Sequence, residues 1–317
     1  MALLKYILKK MLMLLPVLVG ISIVAFALGI MSPGDPVDQV LNPNGNESYT
    51  QAEYDAMAAK MGLDQPAVVQ YFNWVDGLVH GDLGRSFFTN KSVMDQLVKR
   101  IPISLKLAGF SMILTIVFGV GSGVLMAVKK DRLLDHVLGT FSTAALSVPG
   151  FWIAIVLIFL FAEQWKLLPS SGISGGSGFI LPAVTLALPS IGVCARLTRS
   201  AILDEIGRQY MTVADAKGMS RRHAVICHAF GNALIPIITY LGNHMAGIIG
   251  GASIVETIFA IPGIGSYAIV GVQSKDYYVV QAYVLFSGCI YVLTNILIDL
   301  IYIALDPKIR AGEAVES

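Results

Sequence analysis

The stretch LMLLPVLVGISIVAFALGIM, Leu12 to Met31, decides the fold: it is an unbroken run without a charged residue, as long as the roughly 20 residues an α-helix needs to cross bilayer hydrocarbon. Hydrocarbon offers no partner to backbone N–H and C=O groups, so a crossing segment must satisfy them within itself, as a helix does. Lys5, Lys9 and Lys10 lie on its N-terminal side. The run is too long for a signal peptide and no small-x-small cleavage pattern follows, so it reads as a retained anchor.

Working outward, five more runs of this kind follow: Ile103 to Val128, Val137 to Ala162, Phe179 to Cys194, Leu234 to Ile254, and Ala282 to Leu305. Pro182 and Pro189 interrupt the fourth, which is expected to be kinked. The composition agrees with a lipid-embedded chain. It is 55% hydrophobic and 14% charged with mean hydropathy +0.70, whereas soluble domains carry about 25% charged residues. The 22 basic and 21 acidic residues nearly cancel, so no global charge points to nucleic acid, and only the positions of the charges are informative. Cys194, Cys227 and Cys289 show no CxxC pairing or metal-ligand spacing and read as packed thiols.

Lys and Arg concentrate in alternate segments: the N-terminus; Lys129, Lys130 and Arg132; Arg196 to Arg222; and Lys308 and Arg310. The positive-inside rule places these segments and both termini in the cytoplasm. The expected organisation is therefore an N-terminal segment with the first span (1–31), an external subdomain (32–102), a five-helix membrane core (103–305) with a cytoplasmic loop at 195–233, and a cytoplasmic tail (306–317). The external stretch has helical signals of its own. Thr50 and Glu53 have capping-box spacing, Asp64 and Pro66 open a second helix through Trp74, and Ser92 is placed to cap a third. In the cytoplasmic loop Gly218 divides two helical patterns, the second of which Ser220 is placed to cap.

No glycine precedes a lysine anywhere in the chain, so the phosphate-cradling GxxxxGK[ST] loop is missing. The spans nearly lack charge. Asp299 lies close enough to the inner end of its span to snorkel or pair, and Lys106 is interfacial. Two spans carry polar or small stripes at helical spacing: Ser104, Ala108, Ser111, Thr115, Gly119 and Ser122 on the second, and Asn232, Pro236, Thr239, Asn243, Gly247 and Gly250 on the fifth. Either stripe suits an aqueous path or close helix packing, and the sequence leaves both open, with Ser111, Thr115, Thr239 and Asn243 as the translocation-path candidates. His244 reads as an ordinary hydrogen-bonded histidine. Gly172-Ile173-Ser174-Gly175-Gly176 fits GxSxG, which raises an intramembrane serine protease of rhomboid type as a rival. That reading needs a histidine on a facing span, yet the last span has none, and the serine sits in a Gly/Ser-rich loop rather than a nucleophile elbow. The histidines show no HExxH, and His223 and His228 lack a third ligand nearby, so neither catalytic residues nor a metal site are expected.

Pro16 to Gly20 with Pro33-Gly34-Asp35-Pro36, Gly62 to Pro66, Gly81-Asp82-Leu83-Gly84-Arg85-Ser86, Ser147-Val148-Pro149-Gly150-Phe151-Trp152, Val255 to Phe259 with Ile261 to Gly265, and Leu305 to Arg310 follow one another along nearly the whole chain. In that order they resemble the Opp/Dpp-type permeases of binding-protein-dependent ABC importers. Tyr210 to Gly218 is similar to the family's EAA-type coupling loop, although Thr212-Val213-Ala214 stands where Glu-Ala-Ala would precede the glycine. The resemblance implies an all-α integral membrane protein with six transmembrane helices, a helical external loop subdomain and a cytoplasmic coupling loop. It also implies a multi-pass protein of a bacterial or archaeal plasma membrane. Tyr210, Ala214, Asp215, Ala216, Lys217 and Gly218 would dock on an ATPase, with the alanines entering a cleft and Gly218 turning the chain. The implied partners are a homologous second permease, two ATP-binding subunits that use ATP and Mg, and an extracytoplasmic substrate-binding protein, with no cofactor on this chain. The implied cargo is a dipeptide or oligopeptide, with nickel or metal chelates as the alternative; no His or Met cluster lines a span, which favours peptide.

Overall fold

The computed structural model describes residues 2–31, 34–42, 48–173, 175–211, 218–220, 223 and 225–305. These form helices α1 (Ala2–Ile30), α2 (Pro36–Leu41), α3 (Gln51–Met61), α4 (Ala67–Val79), α5 (Val93–Val128), α6 (Leu133–Ser147), α7 (Gly150–Gln164), α8 (Ile180–Ile206), α9 (Phe230–Gly251), α10 (Ser253–Ile258), α11 (Ile264–Gln273) and α12 (Tyr277–Leu305). Among the described residues the β-structure is a single bridge between Arg85 and Ser92.

Among the described residues four helices are long and apolar enough to cross a membrane: Leu12–Ile30, Val93–Val128, Gly176–Ile206 and Tyr277–Tyr302. The third expected span is not one straight helix. α6 and α7 meet at a bend of 102°, because Pro149 has no N–H to donate and its ring drives Val148 out of the helical region, to φ −97°, ψ 127°. The pair counts as a fifth crossing only if taken together. The fifth expected span corresponds to α9, whose 22 residues extend about 33 Å at 1.5 Å per residue. The fourth runs on past Cys194, with Pro189 inside it, to Ile206. Residues 195–206, expected in the cytoplasmic loop, are thus helical. The second likewise starts ten residues earlier than expected: Ser92 Oγ accepts from the Asp95 N–H at 3.3 Å and caps it.

The chain divides into two compact units. One comprises Met1–Ser104 and Pro262–Val292. Here the expected capping box is present: Thr50 Oγ1 accepts from the Glu53 N–H, and the Glu53 carboxylate accepts from the Thr50 N–H at 2.7 Å. Asp35 caps α2 and also accepts from Tyr54 Oη at 2.7 Å, which pushes the Tyr54 phenol up to about 12. α4 lies on α1 through Phe26, whose ring meets Tyr71 edge-on at 5.3 Å and Trp74 at 6.0 Å. The core gathers Leu83, Val93, Leu97, Ile264, Tyr267 and Val279. Ser104 Oγ accepts from the Ile264 N–H at 2.9 Å, and the Arg100 guanidinium lies 4.5 Å over the Tyr267 ring. Gly84, at φ +81°, faces Tyr278 so closely that a Cβ would come within 2.8 Å of the ring, which is why a glycine stands there.

Asp276 precedes α12 and is 1% exposed. Its burial raises the carboxyl above the ordinary range, although hydrogen bonds from the Ser86 hydroxyl and the Phe87, Val279 and Phe88 amides oppose the rise. Between the ordinary and the raised value the folded unit holds a proton that the unfolded chain releases, so stability falls as pH rises through that interval.

The second unit comprises Leu105–Ile261 and Leu293–Ser317. α8 runs through its core and buries small residues, among them Ala183, Ala187, Ser190, Cys194, Ala195 and Thr198. Facing glycines admit neighbouring helices at close range. A Cβ on Gly119 would sit 2.8 Å from Cys194 Cβ, on Gly123 2.5 Å from Thr198 Cβ, and on Gly192 2.5 Å from the Ser142 carbonyl. Such approach lets dispersion and weak polar contacts hold helices that no water drives together. Gly119 belongs to a π-helical turn, Thr115–Val120.

Two outcomes follow from this packing. Gly123→Leu overfills the α5–α8 seam at about 1–3 kcal/mol and lowers the thermal midpoint in detergent, whereas Gly109→Leu, where no atom lies within 4 Å of the Cβ position, leaves it near wild type; equal midpoints would refute the seam. Asp276→Asn flattens the decline of thermal stability as pH rises above the ordinary carboxylate range, about pH 4, measured by fluorescence-monitored melting; an unchanged slope would show that another group sets it.

Candidate functional site

The segment expected to form the cytoplasmic loop is anchored on both sides. Met211, where the described chain stops, and Val225, where α9's approach begins, lie in one cluster with Ala127, Ile202, Ala229, Ala233 and Ile237, all at or below 3% exposure. Tyr210 Oη donates to Glu205 Oε2 at 2.8 Å and accepts from Asn232 Nδ2 at 3.0 Å, tying the loop to the end of α8 and the start of α9. A π-helical turn, Val225–Ala229, leads into α9. Gly218 is exposed with φ +74° and open space at its Cβ position. Its constraint is therefore conformational: a left-handed residue that glycine accepts without strain. Ser220 Oγ accepts from the His223 N–H at 3.4 Å. Ala214, Asp215, Ala216 and Lys217 lie outside the described residues, as do Ser174 and the 306–317 tail.

The two stripes of the membrane helices differ. On α5, Ser104, Ala108, Ser111 and Thr115 are at most 2% exposed, Thr115 Oγ1 donates to the Ser111 carbonyl at 2.9 Å, and Gly119 abuts Cys194. This stripe is a packing face within the chain, so Ser111 and Thr115 do not line an open surface. Farther along the same helix, α8 brings Cys194 and Thr198 against Gly119 and Gly123. On α9, Asn232, Pro236, Asn243 and Gly247 are exposed on one face, while Thr239 is half-buried and hydrogen-bonds the Ile235 carbonyl and Tyr302 Oη. The opposite sides of α9 are occupied. Tyr240 Oη donates to the Ser190 carbonyl at 3.2 Å, and Gly242 meets Ile298 of α12.

A polar surface missed in the sequence lies between α6 and α8. Asp135 is 4% exposed and its carboxylate takes Arg199 Nε at 2.7 Å and Nη2 at 2.8 Å, a bidentate pair of the kind a guanidinium fork makes best. Beside it a cleft of about 720 Å³ is lined by His136, Thr140, Thr143, Ser147 and Arg196. The i, i+4, i+7, i+11 spacing of His136, Thr140, Thr143 and Ser147 was the available signal. Asp299 is half-buried and engaged. His244 stacks on Tyr240 at 5.6 Å. Among the described residues no group of three or more His, Cys, Asp or Glu is placed to hold a metal ion.

The chain has relatives among known proteins. The family described as binding-protein-dependent transport system inner membrane component matches residues 119–311, and the corresponding N-terminal family matches residues 3–108. The dipeptide transport system permease protein DppB of Escherichia coli is 34% identical over 97% of this chain and 99% of its own length. A probable peptide ABC transporter permease protein of Sinorhizobium fredii is 36% identical over 96% and 99%, and the glutathione transport system permease protein GsiC of Escherichia coli is 32% identical over 97% and 99%. A solved structure of the MetNI methionine ABC transporter in inward-facing conformations aligns with TM-score 0.57 at 18% identity, over 67% of this chain and 97% of that one, a likeness of fold. Near-complete coverage at this identity, with both family matches in order, places the chain among the inner membrane components of binding-protein-dependent transport systems, as a multi-pass permease subunit.

Proposed function

We propose that the chain forms half of the translocation path of an ATP-driven importer of short peptides. The observation that carries this reading is the pairing of an open polar stripe on α9 with a cytoplasmic loop fastened to the same helix by Met211, Val225 and Asn232. A segment that takes force from an ATPase and a surface that meets cargo would then belong to one rigid element. Relatives named for dipeptide, peptide and glutathione transport support peptide as cargo, and nickel is not favoured. The proposed assembly adds a homologous permease, two ATPase subunits that bind ATP and Mg, and an external binding protein. Residues 207–229 and both termini face the cytoplasm, in keeping with the distribution of Lys and Arg.

The docking segment is Tyr210 to Gly218, including Ala214, Asp215, Ala216 and Lys217. The proposed lining is the exposed α9 face, Asn243 foremost and Thr239 at its edge. The membrane chemistry of the chain is non-catalytic, and ATP hydrolysis resides in the partner subunits.

ATP-dependent uptake of a labelled dipeptide by the reconstituted complex with its binding protein tests the reading; absence of uptake by an intact complex would overturn it. Ala216→Trp and Gly218→Val should each abolish substrate-stimulated ATP hydrolysis and uptake while the permease still inserts. The first overfills a docking cleft, at about 1–3 kcal/mol or more, and the second forces a β-branched residue into the left-handed region. Wild-type coupling in both would place the docking element elsewhere.

The two stripes give a further contrast. Asn243→Trp should reduce uptake at least several-fold with the thermal midpoint near wild type, because it narrows a lumen without filling a seam. Ser111→Trp should lower the midpoint itself, since that side chain is fully buried. The reverse pattern would assign the path to α5.

A further inference from the structure

α4, at 13 residues, is too short to cross hydrocarbon, yet it is fastened to a helix that does. Tyr71 Oη donates to Ser22 Oγ at 2.9 Å, since the Ser22 hydroxyl gives its own proton to the Val19 carbonyl at 2.8 Å, and the Phe26 ring meets both Tyr71 and Trp74. Both contacts fall inside the apolar run Leu12–Ile30. Phe26 stands four residues before Ile30 and Ser22 eight, about 6 Å and about 12 Å along the helix axis. The run matches the roughly 30 Å of bilayer hydrocarbon with little to spare, and Lys10 and Asp35 are the first charges on either side of it. α4 is therefore held within the depth of the span, not above it.

The residues of α4 are sorted by face. Val68, Phe72, Val75 and Val79 stand at i, i+4, i+7 and i+11, one stripe of a helix. Val68, Phe72 and Val79 are 66%, 64% and 77% exposed, and Val75 is half-buried. Gln70 and Asn73 lie on the opposite face and bond Gln65, while Tyr71 and Trp74 fill the arc between and meet α1. The stripe shares its side with open apolar surface on α1. Val19, Ile23 and Ile30, each three or four positions from Ser22 or Phe26, are 54%, 51% and 36% exposed. Both surfaces are turned away from α12. On α1 that helix is met by Gly29, where a Cβ would come 2.7 Å from Gln281 Nε2; on α4 it is Gln70, Trp74 and Gly77 that wall a cavity with Tyr278 and Gln281.

A contiguous apolar stripe of this kind calls for an apolar cover, and at this depth beside α1 the cover is acyl chain. Interfacial helices bury their apolar face about 5–10 Å into the boundary between headgroups and chains, and Tyr and Trp settle at headgroup level. We propose that α4 lies in the membrane interface at the Ile30 end of α1, with a lipid surface as its partner: Val68, Phe72, Val75 and Val79 enter the acyl chains while Gln70 and Asn73 stay in the polar layer. The segment between the first two spans is then seated on the bilayer rather than carried clear of it.

The test uses the wild-type complex reconstituted in vesicles of dioleoylphosphatidylcholine that contain a phosphatidylcholine with a diazirine in its acyl chain. After irradiation, the labelled positions are mapped by mass spectrometry. Label should fall on Val68, Phe72, Val75 and Val79 at a yield comparable to that on the exposed residues of α1, and at least several-fold above that on Gln70, Asn73 and α3. Labelled α1 with α4 at the level of α3 would overturn the proposal, as would equal labelling of both faces of α4. A second measurement replaces Phe72 by the photoreactive p-benzoylphenylalanine in the same vesicles without the diazirine lipid. An adduct heavier by one phosphatidylcholine supports the lipid surface; a cross-link to a protein subunit in its place would give this face to a protein partner and overturn it.

Discussion

Close approach of small residues along α8 is the constraint on which the second unit depends. Cys194, Ala195 and Thr198 sit against Gly119 and Gly123 at separations where a single added methyl would collide. In lipid no water-driven force gathers apolar helices, so contact must come from fit. The bidentate Asp135–Arg199 pair then ties the start of α6 to α8. A carboxylate this buried is tolerated because the guanidinium and the Asp131 N–H, which donates at 2.9 Å, satisfy it together. Helix packing and ion pair act at different depths on one helix, which leaves α8 a fixed post around which the other elements are arranged.

Much of this architecture was legible in the sequence wherever the deciding interaction is local. The Thr50–Glu53 box, the Ser92 cap and the left-handed Gly218 each depend on residues within four positions, and each is present. The break at Ser147-Val148-Pro149-Gly150 was equally local, since a proline excludes its predecessor from the helix, yet hydropathy alone averaged across it. What could not be read was burial. Ser111 and Asn243 have the same kind of stripe around them, and only the identity of the facing helix separates a packing seam from an open face. For α5 that helix carries Cys194 and Thr198, some 75 residues away in sequence, and no periodicity in either segment encodes the encounter. Asp135 and Arg199, 64 residues apart, were hidden for the same reason.

The first unit is organised on another principle, with backbone groups and polar side chains carrying the load that small apolar residues carry in the second. Asp276 gathers the Ser86 hydroxyl and the amides of Phe87, Phe88 and Val279, Ser104 holds Ile264, and Arg100 reaches the Gly263 carbonyl at 3.4 Å. Segments distant in sequence, 82–104 and 262–282, are thereby locked together. Ser86 of the first of these motifs and Gly263 and Ile264 of the later one take part in these contacts.

Under the proposed function, the anchoring of the loop between α8 and α9 sets how force reaches the membrane. Met211 and Val225, which flank the loop, both contact a cluster that includes Ala127 of α5, Ile202 of α8 and Ala233 and Ile237 of α9. A close-packed cluster resists deformation and passes displacement on as a body. A push on the loop therefore cannot be absorbed locally; it moves the inner ends of three helices together. α9 carries an exposed polar face, and Asn243 lies eleven residues beyond the Asn232 that bonds Tyr210, about 16 Å along the helix axis. Under the proposed function a tilt imposed at the loop end of α9 passes toward Asn243, with Pro236 between the two asparagines as the point where the helix can bend. Coupling then needs no chain of rearrangements through the membrane, only a helix whose one end is held by the loop and whose open face meets the cargo.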